Sequence, residues 1–349
     1  MDKVLLGMSG GVDSTAAAII LKEKGYDVYG ATMKLWEPEN VDTDSDAKRI
    51  CDDIGISHYT MDFKEEFNKR VIVDFICEYS NCRTPNPCIE CNKYLKFGAM
   101  YKKAQDLGIE YLATGHYAIT EYSEKYGRVV LKKAKNLKKD QSYVLYTIPK
   151  EILDKVIFPL GEFMDKEEIR GIVGKYNVEL ASKPDSEDIC FIPDGNYRGF
   201  LEANSSLRPR SGDIVNTEGK ILGKHTGLYN YTIGQRKGLG ISNPEPLFVI
   251  GFDRENNQLI VGEKDKIYRT EMFVKDINLL LIDELKGKMK VGVKIRYSAK
   301  EEKATIEMVD EDLIKVVFEN PIARITPGQS AVFYIDDIVL GGGKITYNC

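Results

Sequence analysis

Several things are scarce or missing in this sequence, and each absence removes a class of protein. No apolar run approaches the roughly 20 residues that a bilayer span needs, and the opening MDKVLLGMSGG has no long apolar stretch ahead of its glycines. A chain with a cytoplasmic address and no membrane association is the expectation. Positive charge is not in excess: 49 Lys and Arg stand against 54 Asp and Glu, and the net charge of −5 argues against coating nucleic acid by bulk attraction. Cysteine is too sparse for a secreted disulfide scaffold, and its odd count of 7 leaves one over, so thiol chemistry or metal binding is the better expectation. Low-complexity tracts and internal repeats are lacking, while 43% hydrophobic and 30% charged residues lie in the globular range. Disorder and collagen-like architecture are thereby excluded. At 349 residues the chain exceeds one ordinary core, and two or three domains are expected.

What is present begins with alternating strand and helix signals. Val4 to Leu6 is an apolar run ending at Gly7; Ser14 to Lys24 reads as a helix, because good helix formers follow one another and Gly25 supplies the stop. Strands at 28–35 and 58–62, helices at 45–53 and 63–79, a proline-broken loop at 81–90, a helix at 92–107 and a strand at 111–113 continue the pattern. Such alternation predicts a parallel sheet wrapped by helices, with a ligand crevice at the carboxyl ends of the strands, where Gly7, Met33 and Gly115 fall. Past about residue 205 the texture changes to glycines and short strands, and from Val274 onward strands at 291–297, 303–308, 314–318, 330–335 and 338–340 follow with tight turns. The fold class is therefore α/β: a parallel-sheet domain at 1–205, a small glycine-rich α+β or all-β central domain at 206–270, and a β-barrel at 271–349. Two lysine clusters, Lys132 to Lys139 and Lys286 to Lys303, read first as solvated lysines on a loop and on the outer face of a strand. An acidic stretch, Glu37, Glu39, Asp42, Asp44 and Asp46, offsets them.

The sharpest local motif is Ser9-Gly10-Gly11-Val12-Asp13-Ser14, between a predicted strand and a predicted helix. Adjacent glycines let the backbone turn tightly, and the helix start behind them offers free N–H groups and a positive dipole end to an anion. A glycine-rich turn alone is also an ordinary tight connection. Here it lacks the Gly-Lys-Ser/Thr ending of a kinase-type loop, yet Ser9 and Ser14 flank it as phosphate donors and Asp13 is placed to help position magnesium.

The cysteines suggest a nucleophile. In Thr84-Pro85-Asn86-Pro87-Cys88-Ile89-Glu90-Cys91-Asn92, two prolines extend the loop and Cys91 falls at the expected start of the next helix, where a thiolate is favoured. Cys190 lies in a second proline-bounded segment, while Cys51, Cys77 and Cys349 read as small buried hydrophobes. A Cys-x-x-Cys pair also suits a metal, and Cys82, Cys88, Cys91 and Cys190 would supply the four ligands of a structural zinc site.

The SGGxDS segment resembles the signature of the PP-loop ATP pyrophosphatases, which split ATP between its α- and β-phosphates to adenylate a carbonyl-type oxygen. The resemblance narrows to the bacterial tRNA-specific 2-thiouridylase (MnmA, TrmU) family through strings that run almost end to end: GMSGGVDS, ATMKLWE, TPNPCIECNKYLKFG, ATGHYA, KDQSYVLY, FPLGE, SEDICFIPDGNYRGFL, GLYNYTIGQRKGLGI, IRYSAK and ITPGQSAVFY. It implies ATP and magnesium as cofactors, tRNA as substrate, and adenylation of the C2 oxygen of the wobble uridine. Sulfur would come from a persulfide on Cys190, with Cys91 as the paired nucleophile. It further implies an ATP pocket from Gly7, Met8, Ser9, Gly10, Gly11, Val12, Asp13 and Ser14 with Met33 and Gly115, and a target-base loop of Asn86, Pro87 and Cys88. His116, Lys139, Asp140, Gln141, Arg296, Tyr297 and Gln329 match positions that touch tRNA. The two lysine clusters lie beside Lys139 and Arg296, where phosphate contacts are expected. Without the resemblance, Tyr297 is as well read as a packed barrel tyrosine and His116 as a satisfied strand-end histidine.

The implied partners are tRNA and a cysteine desulfurase or sulfur-relay protein, with the chain a monomer or weak dimer. One departure matters: many relatives carry aspartate where this chain has Cys88. With cysteine there, Cys88, Cys91 and Cys190 would form a three-thiolate set of the kind that holds a [4Fe–4S] cluster, and that route stays open beside the persulfide. Two further readings are a PP-loop ligase or amidotransferase acting on a small metabolite, and an RNA-binding module stapled by zinc.

Overall fold

The protein is described by a computed structural model over residues 1–36, 43–176, 178–182 and 189–347. Glu37, Glu39 and Asp42 of the acidic stretch, Asp185 to Asp188 ahead of Cys190, and Cys349 lie outside the described residues. The first region alternates β1 (Lys3–Gly7), α1 (Val12–Glu23), β2 (Asp27–Lys34), α2 (Thr43–Ile54) and β3 (Ser57–Asp62). A long helix follows as α3 (Lys64–Phe67), a π-helical stretch Asn68–Ile72 and α4 (Val73–Ser80); a second comprises α5 (Pro87–Cys91), a π-helical stretch Asn92–Met100 and α6 (Tyr101–Asp106). After β4 (Tyr111–Ala113) come the hairpin β5 (Ala118–Ser123) and β6 (Arg128–Lys133), then β7 (Val156–Ile157), α7 (Lys166–Gly174), α8 (Val178–Ala181) and α9 (Tyr197–Asn204).

The first sheet has strand order β3-β2-β1-β4-β7, all parallel. Successive residues of a strand face opposite sides, so Val4 and Leu6 enter one core with Ala16, Ala17 and Leu21, while Leu5 enters the other with Phe67, Phe75 and Leu95. Strand order reverses at β1, which opens a crevice between the carboxyl ends of β1 and β4.

The central sheet joins β8 (Gly212–Val215), β9 (Ile221–His225), β10 (Phe248–Asp253) and β11 (Gln258–Gly262) in the order β10-β11-β8-β9. Last come β12 (Tyr268–Leu279), β13 (Met289–Lys294), β14 (Glu302–Asp310), β15 (Leu313–Ala323), β16 (Ser330–Ile335) and β17 (Ile338–Thr346). They form an antiparallel barrel of six strands, closed by the pairing of β12 with β17. The α/β class and the C-terminal barrel are as expected.

Three local expectations are corrected. Residues 87–90 are helix rather than extended loop, because Pro87 occupies the first helical position, where its missing N–H costs nothing. Lys132 and Lys133 lie on strand β6 rather than on a loop, and that strand pairs with β17 through Lys132 and Ile338. Cys77, expected to be buried, is exposed.

Candidate active site

The phosphate loop follows from a strand-to-helix junction that no side chain closes. β1 ends at Gly7, the chain turns through Met8, Ser9 and Gly10, and α1 begins at Val12 with Gly11 as an N-cap that makes no side-chain cap bond. The first-turn N–H groups are left for an anion. Gly10 takes φ +72°, and a side chain there would stand 3.3 Å from the backbone nitrogen of Ala47. Ser14 Oγ donates to Gly11 O at 3.1 Å and lies 3.3 Å from Ser9 Oγ. Thr32 Oγ1 donates to Met8 O at 2.9 Å, which ties the loop to β2 one residue before Met33. From the other side Gly115 lies on the start of α1, where a Cβ would come within 3.1 Å of Asp13 C and Ser14 N. The residues expected to hold nucleotide thus share the carboxyl edge of the sheet.

Asp13 is already engaged. Its Oδ1 accepts from Tyr117 Oη at 2.7 Å, and its two oxygens accept from Lys166 Nζ at 2.8 and 2.9 Å. Lys166, the first residue of α7, carried no signal in the sequence that would have marked it.

The cysteines gather beside this edge. Cys91 is buried at the end of α5, while Cys88 and Cys190 are reached by solvent. Each thiol is pushed up by burial among protein atoms, Cys91 to about 12. Cys91 registers the charges of both Cys190 and Cys88, and Cys190 that of Cys88, so the three are within electrostatic reach of one another. The expectation of a helix start that favours thiolate at Cys91 therefore does not hold. The helix begins a turn earlier, and desolvation dominates. Cys190 is positioned by Phe191, whose ring lies 5.3 Å from Phe75 and 5.6 Å from Phe67.

One cation opposes burial at all three thiols: Lys96, on the π-helical stretch after Cys91. A π-helix turns once in more than four residues, which suits a side chain five positions on to return near the same face. Lys96 Nζ also meets His116 Nε2 at 3.3 Å, and Thr114 Oγ1 meets His116 Nδ1 at 2.7 Å. An ammonium only donates, so Nε2 accepts and the ring proton sits on Nδ1. Burial, with Lys96 second, holds this imidazole well below its ordinary pKa and keeps it neutral. His116 follows Gly115 just past the carboxyl end of β4, so it joins the thiol group to the nucleotide edge. Lys96 also escaped sequence reasoning, since a lysine on a helix most often faces water.

The other expected RNA contacts divide. Asn86 caps α5 from the loop and Pro87 opens the helix, beside Cys88. Asp140 is buried and accepts from Ala134 N, Ser142 N and Ser142 Oγ, and Gln141 Oε1 accepts from Tyr117 N, so both side chains hold their own loop; Lys139 lies next to them. Tyr297 is 43% exposed, which favours a ring offered to a ligand over a packed barrel tyrosine. It meets Tyr143 edge-on, with Lys294 Nζ 5.8 Å from its centre. Gln329 does not stand apart as a surface contact: its Nε2 donates to Thr84 O at 2.8 Å and to Pro85 O at 3.3 Å. In the first lysine cluster, Lys132 pairs with Glu121 and Asp337, Lys133 with Glu301, and Lys135 with Glu162.

Comparison with known proteins matches three family models along the chain. The tRNA methyl transferase HUP domain matches residues 2–194, the tRNA methyl transferase PRC-barrel domain 199–263, and the aminomethyltransferase β-barrel domain 269–345. A curated tRNA-specific 2-thiouridylase of Clostridioides difficile is 46% identical over 353 residues, 98% of each chain. Relatives of the same name from Caldicellulosiruptor saccharolyticus and Acetivibrio thermocellus are 47% and 45% identical, and cover 98% of this chain and 98% and 99% of their own. The chain belongs to the tRNA-specific 2-thiouridylase family. A 4-thiouridine synthetase in complex with RNA and ATP matches 58% of this chain and 50% of its own at 18% identity and a TM-score of 0.37, too distant to carry an argument.

Two metal expectations meet the donor atoms of this chain. Among the described residues no three His, Cys, Asp or Glu side chains stand together as a metal-holding group. Neither a zinc staple through Cys82, Cys88, Cys91 and Cys190 nor a cluster on Cys88, Cys91 and Cys190 fits this arrangement. Asp13 does suit magnesium, which keeps most of its waters and takes one or two carboxylates together with substrate phosphates. No helix among the described residues is long and apolar enough to cross a membrane.

Proposed function

We propose that this chain is a cytoplasmic sulfurtransferase that uses ATP to replace the C2 oxygen of the wobble uridine of tRNA with sulfur, its work shared by the segments 1–205, 206–270 and 271–349. ATP lies on the phosphate loop, with its phosphates on the N–H groups of α1 and of Gly10 and Gly11. Magnesium, when bound, would be held by Asp13 and the triphosphate and would neutralise charge on the leaving pyrophosphate. Lys166, which meets Asp13 at the edge of the loop, is placed to turn its ammonium toward phosphate oxygens. The uracil O2 attacks the α-phosphorus, and pyrophosphate departs.

The terminal sulfur of a Cys190 persulfide attacks C2, and AMP leaves with the oxygen. Cys91, as thiolate, then attacks the Cys190 sulfur. The bond between Cys190 Sγ and the transferred sulfur breaks, and 2-thiouridine departs with the electron pair on that sulfur. A Cys91–Cys190 disulfide remains, which an external dithiol reduces. A cysteine desulfurase or relay protein reloads Cys190. Lys96 favours the thiolate forms, and neutral His116 holds Lys96 in place. Asn86, Pro87 and Cys88 line the entry for the extruded base.

The observation that carries this reading is that Cys91 and Phe191, the neighbour of Cys190, are packed into one buried core, which brings two segments far apart in sequence together with Cys190 close enough for its charge to act on Cys91. Methyl transfer, the activity in the names of the domain models, calls for neither a nucleotide-cleaving loop nor paired thiols. The test is incubation with ATP, magnesium, a persulfide donor and tRNA transcript, then digestion and search for 2-thiouridine. Product should vanish in Cys91→Ser and Cys190→Ser, while Asp13→Ala should lose nucleotide binding. ATP–pyrophosphate exchange with a small amide or carboxylate substrate, and no thiolated RNA, would instead indicate a metabolite ligase.

A further inference from the structure

In the Cys-x-x-Cys pair, Cys91 has a chemical task while Cys88 only lines the entry. Its place on the helix gives Cys88 a second one. Residues three apart on a helix share a face, and on this face Cys88 stands at the outer end, with Cys91 behind it and Leu95 fully buried beyond. Cys88 is exposed and Cys91 is not, so an outside thiol reaches this pair through Cys88. Burial among protein atoms raises the Cys88 thiol, and Lys96 opposes it there as at the other two.

The two ends of the turn are held differently. Asn92, next to Cys91, is buried, and its Nδ2 donates to Val144 O at 2.8 Å, which anchors the inner end. At the outer end Asn86 makes no side-chain cap bond, and Pro87 has no N–H to give, so the first turn lacks the side-chain bonds that usually fix one. A disulfide needs Cβ atoms about 3.5 to 4.5 Å apart, against about 5 to 6 Å for helix neighbours of this spacing. Bridging therefore asks the uncapped turn to tighten by about 1 to 2 Å.

We propose that Cys88 is a resolving thiol: after sulfur transfer it takes Cys91 out of the Cys91–Cys190 disulfide, closes a Cys88–Cys91 disulfide and frees Cys190 for the next sulfur. The inference rests on the sulfurtransferase reading and adds the return step to it. Cys88 gives its proton to solvent, and its thiolate attacks Cys91 Sγ. The bond from Cys91 Sγ to Cys190 Sγ breaks, and the electron pair leaves on Cys190 as thiolate. Cys88 is oxidised and Cys190 reduced, with no other reactant. The external dithiol then attacks the exposed Cys88 Sγ and restores both thiols of the helix. Attack at Cys190 instead would occupy the sulfur carrier itself. Because Cys88 also lines the entry for the base, bound uridine covers it, and the exchange follows product release.

The test maps the disulfide left by one turnover. The full chain is loaded with glutathione persulfide, desalted, and mixed with ATP, magnesium and excess tRNA transcript without any dithiol. It is then quenched with N-ethylmaleimide and mapped by mass spectrometry without reduction. Cys88 joined to Cys91, with Cys190 alkylated, is the expected product. Cys190 joined to Cys91 or to Cys88 overturns the proposal. In Cys88→Ser, Cys190 should become open to alkylation after turnover at least about tenfold more slowly than in the parent chain, and equal rates overturn the exchange. A second arm needs neither turnover nor variant: the parent chain is equilibrated with mixtures of reduced and oxidised glutathione. Cys88–Cys91 should be the disulfide formed within the chain, with exposed Cys77 free or joined to glutathione as the control. A dominant Cys91–Cys190 bond there overturns the proposal, since the exchange runs downhill only toward the more stable pair. A first arm that yields no 2-thiouridine overturns the sulfurtransferase reading, and the glutathione arm then decides the Cys88–Cys91 pair by itself.

Discussion

At the scale of single residues, the chemistry rests on a balance between burial and one lysine. Burial raises the thiols of Cys88, Cys91 and Cys190 above their ordinary 9.0, so at pH 7 all three rest protonated and their reactivity climbs with pH. Lys96 pulls the other way. Lys96→Met should shift the alkylation profile of these cysteines to higher pH and slow iodoacetamide labelling at pH 8 about threefold to tenfold, read by mass spectrometry. An unshifted profile would remove Lys96 from the site. Gly115→Ala tests the nucleotide edge: its new Cβ meets backbone, which cannot rotate away, so the start of α1 must move. ATP affinity by calorimetry should fall about tenfold or more, with the far-ultraviolet spectrum retained. The glycine loop was legible in the sequence because only backbone chemistry explains paired glycines before a helix. Lys96 and Lys166 were not, because what they do depends on His116 and Asp13, which are remote in sequence.

Elements set where those residues stand. The early strands and helices were readable from apolar runs bounded by glycine, and the long helices within a few residues of their ends. Two features were hidden. Pro85 and Pro87 made residues 81–90 look like one loop, although a proline at the first helical position starts a helix as readily as it ends one. The π-helical stretches leave no compositional trace, and one of them aims Lys96. The hairpin β5–β6 was missed because its partner, β17, lies some two hundred residues on, where no local period can announce it. Its packing allows a sharp test at Gly161, where a Cβ would overlap the carbonyl oxygen of Ala118 at the start of β5. Gly161→Ala should lose about 3 kcal/mol in denaturant unfolding, since the obstacle is backbone.

Across the whole molecule, the barrel holds the segment that leads into Cys91. Besides Gln329 on Thr84 and Pro85, Lys344 of β17 reaches Glu90 at 3.3 Å and Asp74 at 3.5 Å, with side-chain exposures of 16%, 14% and 30%. Glu90 precedes Cys91. Lys344→Met leaves carboxylates buried without their cation, and should cost about 3 to 5 kcal/mol in unfolding free energy by denaturant titration. Gln329→Ala should leave the melting temperature nearly unchanged yet raise amide hydrogen exchange at residues 82–91, with the barrel strands as the internal control. Equal exchange in that segment would show that the glutamine does not restrain it. That the barrel acts on the loop this way was not readable from a match to RNA-contacting positions, which says what a side chain touches in a complex but not what it holds before one.

The bond between β6 and β17 has a further consequence for heredity. A hairpin encoded in the first half of the gene completes a seam in the last: Lys133 N–H donates to Asp337 O at 2.8 Å, and Tyr143 Oη donates to Ser330 O at 2.9 Å. Recombination anywhere between these stretches would separate partners shaped for each other, so the two ends must be inherited and must vary together. The barrel is not a cassette that another gene could borrow, and chimaeras of distant relatives should express poorly unless the hairpin travels with it.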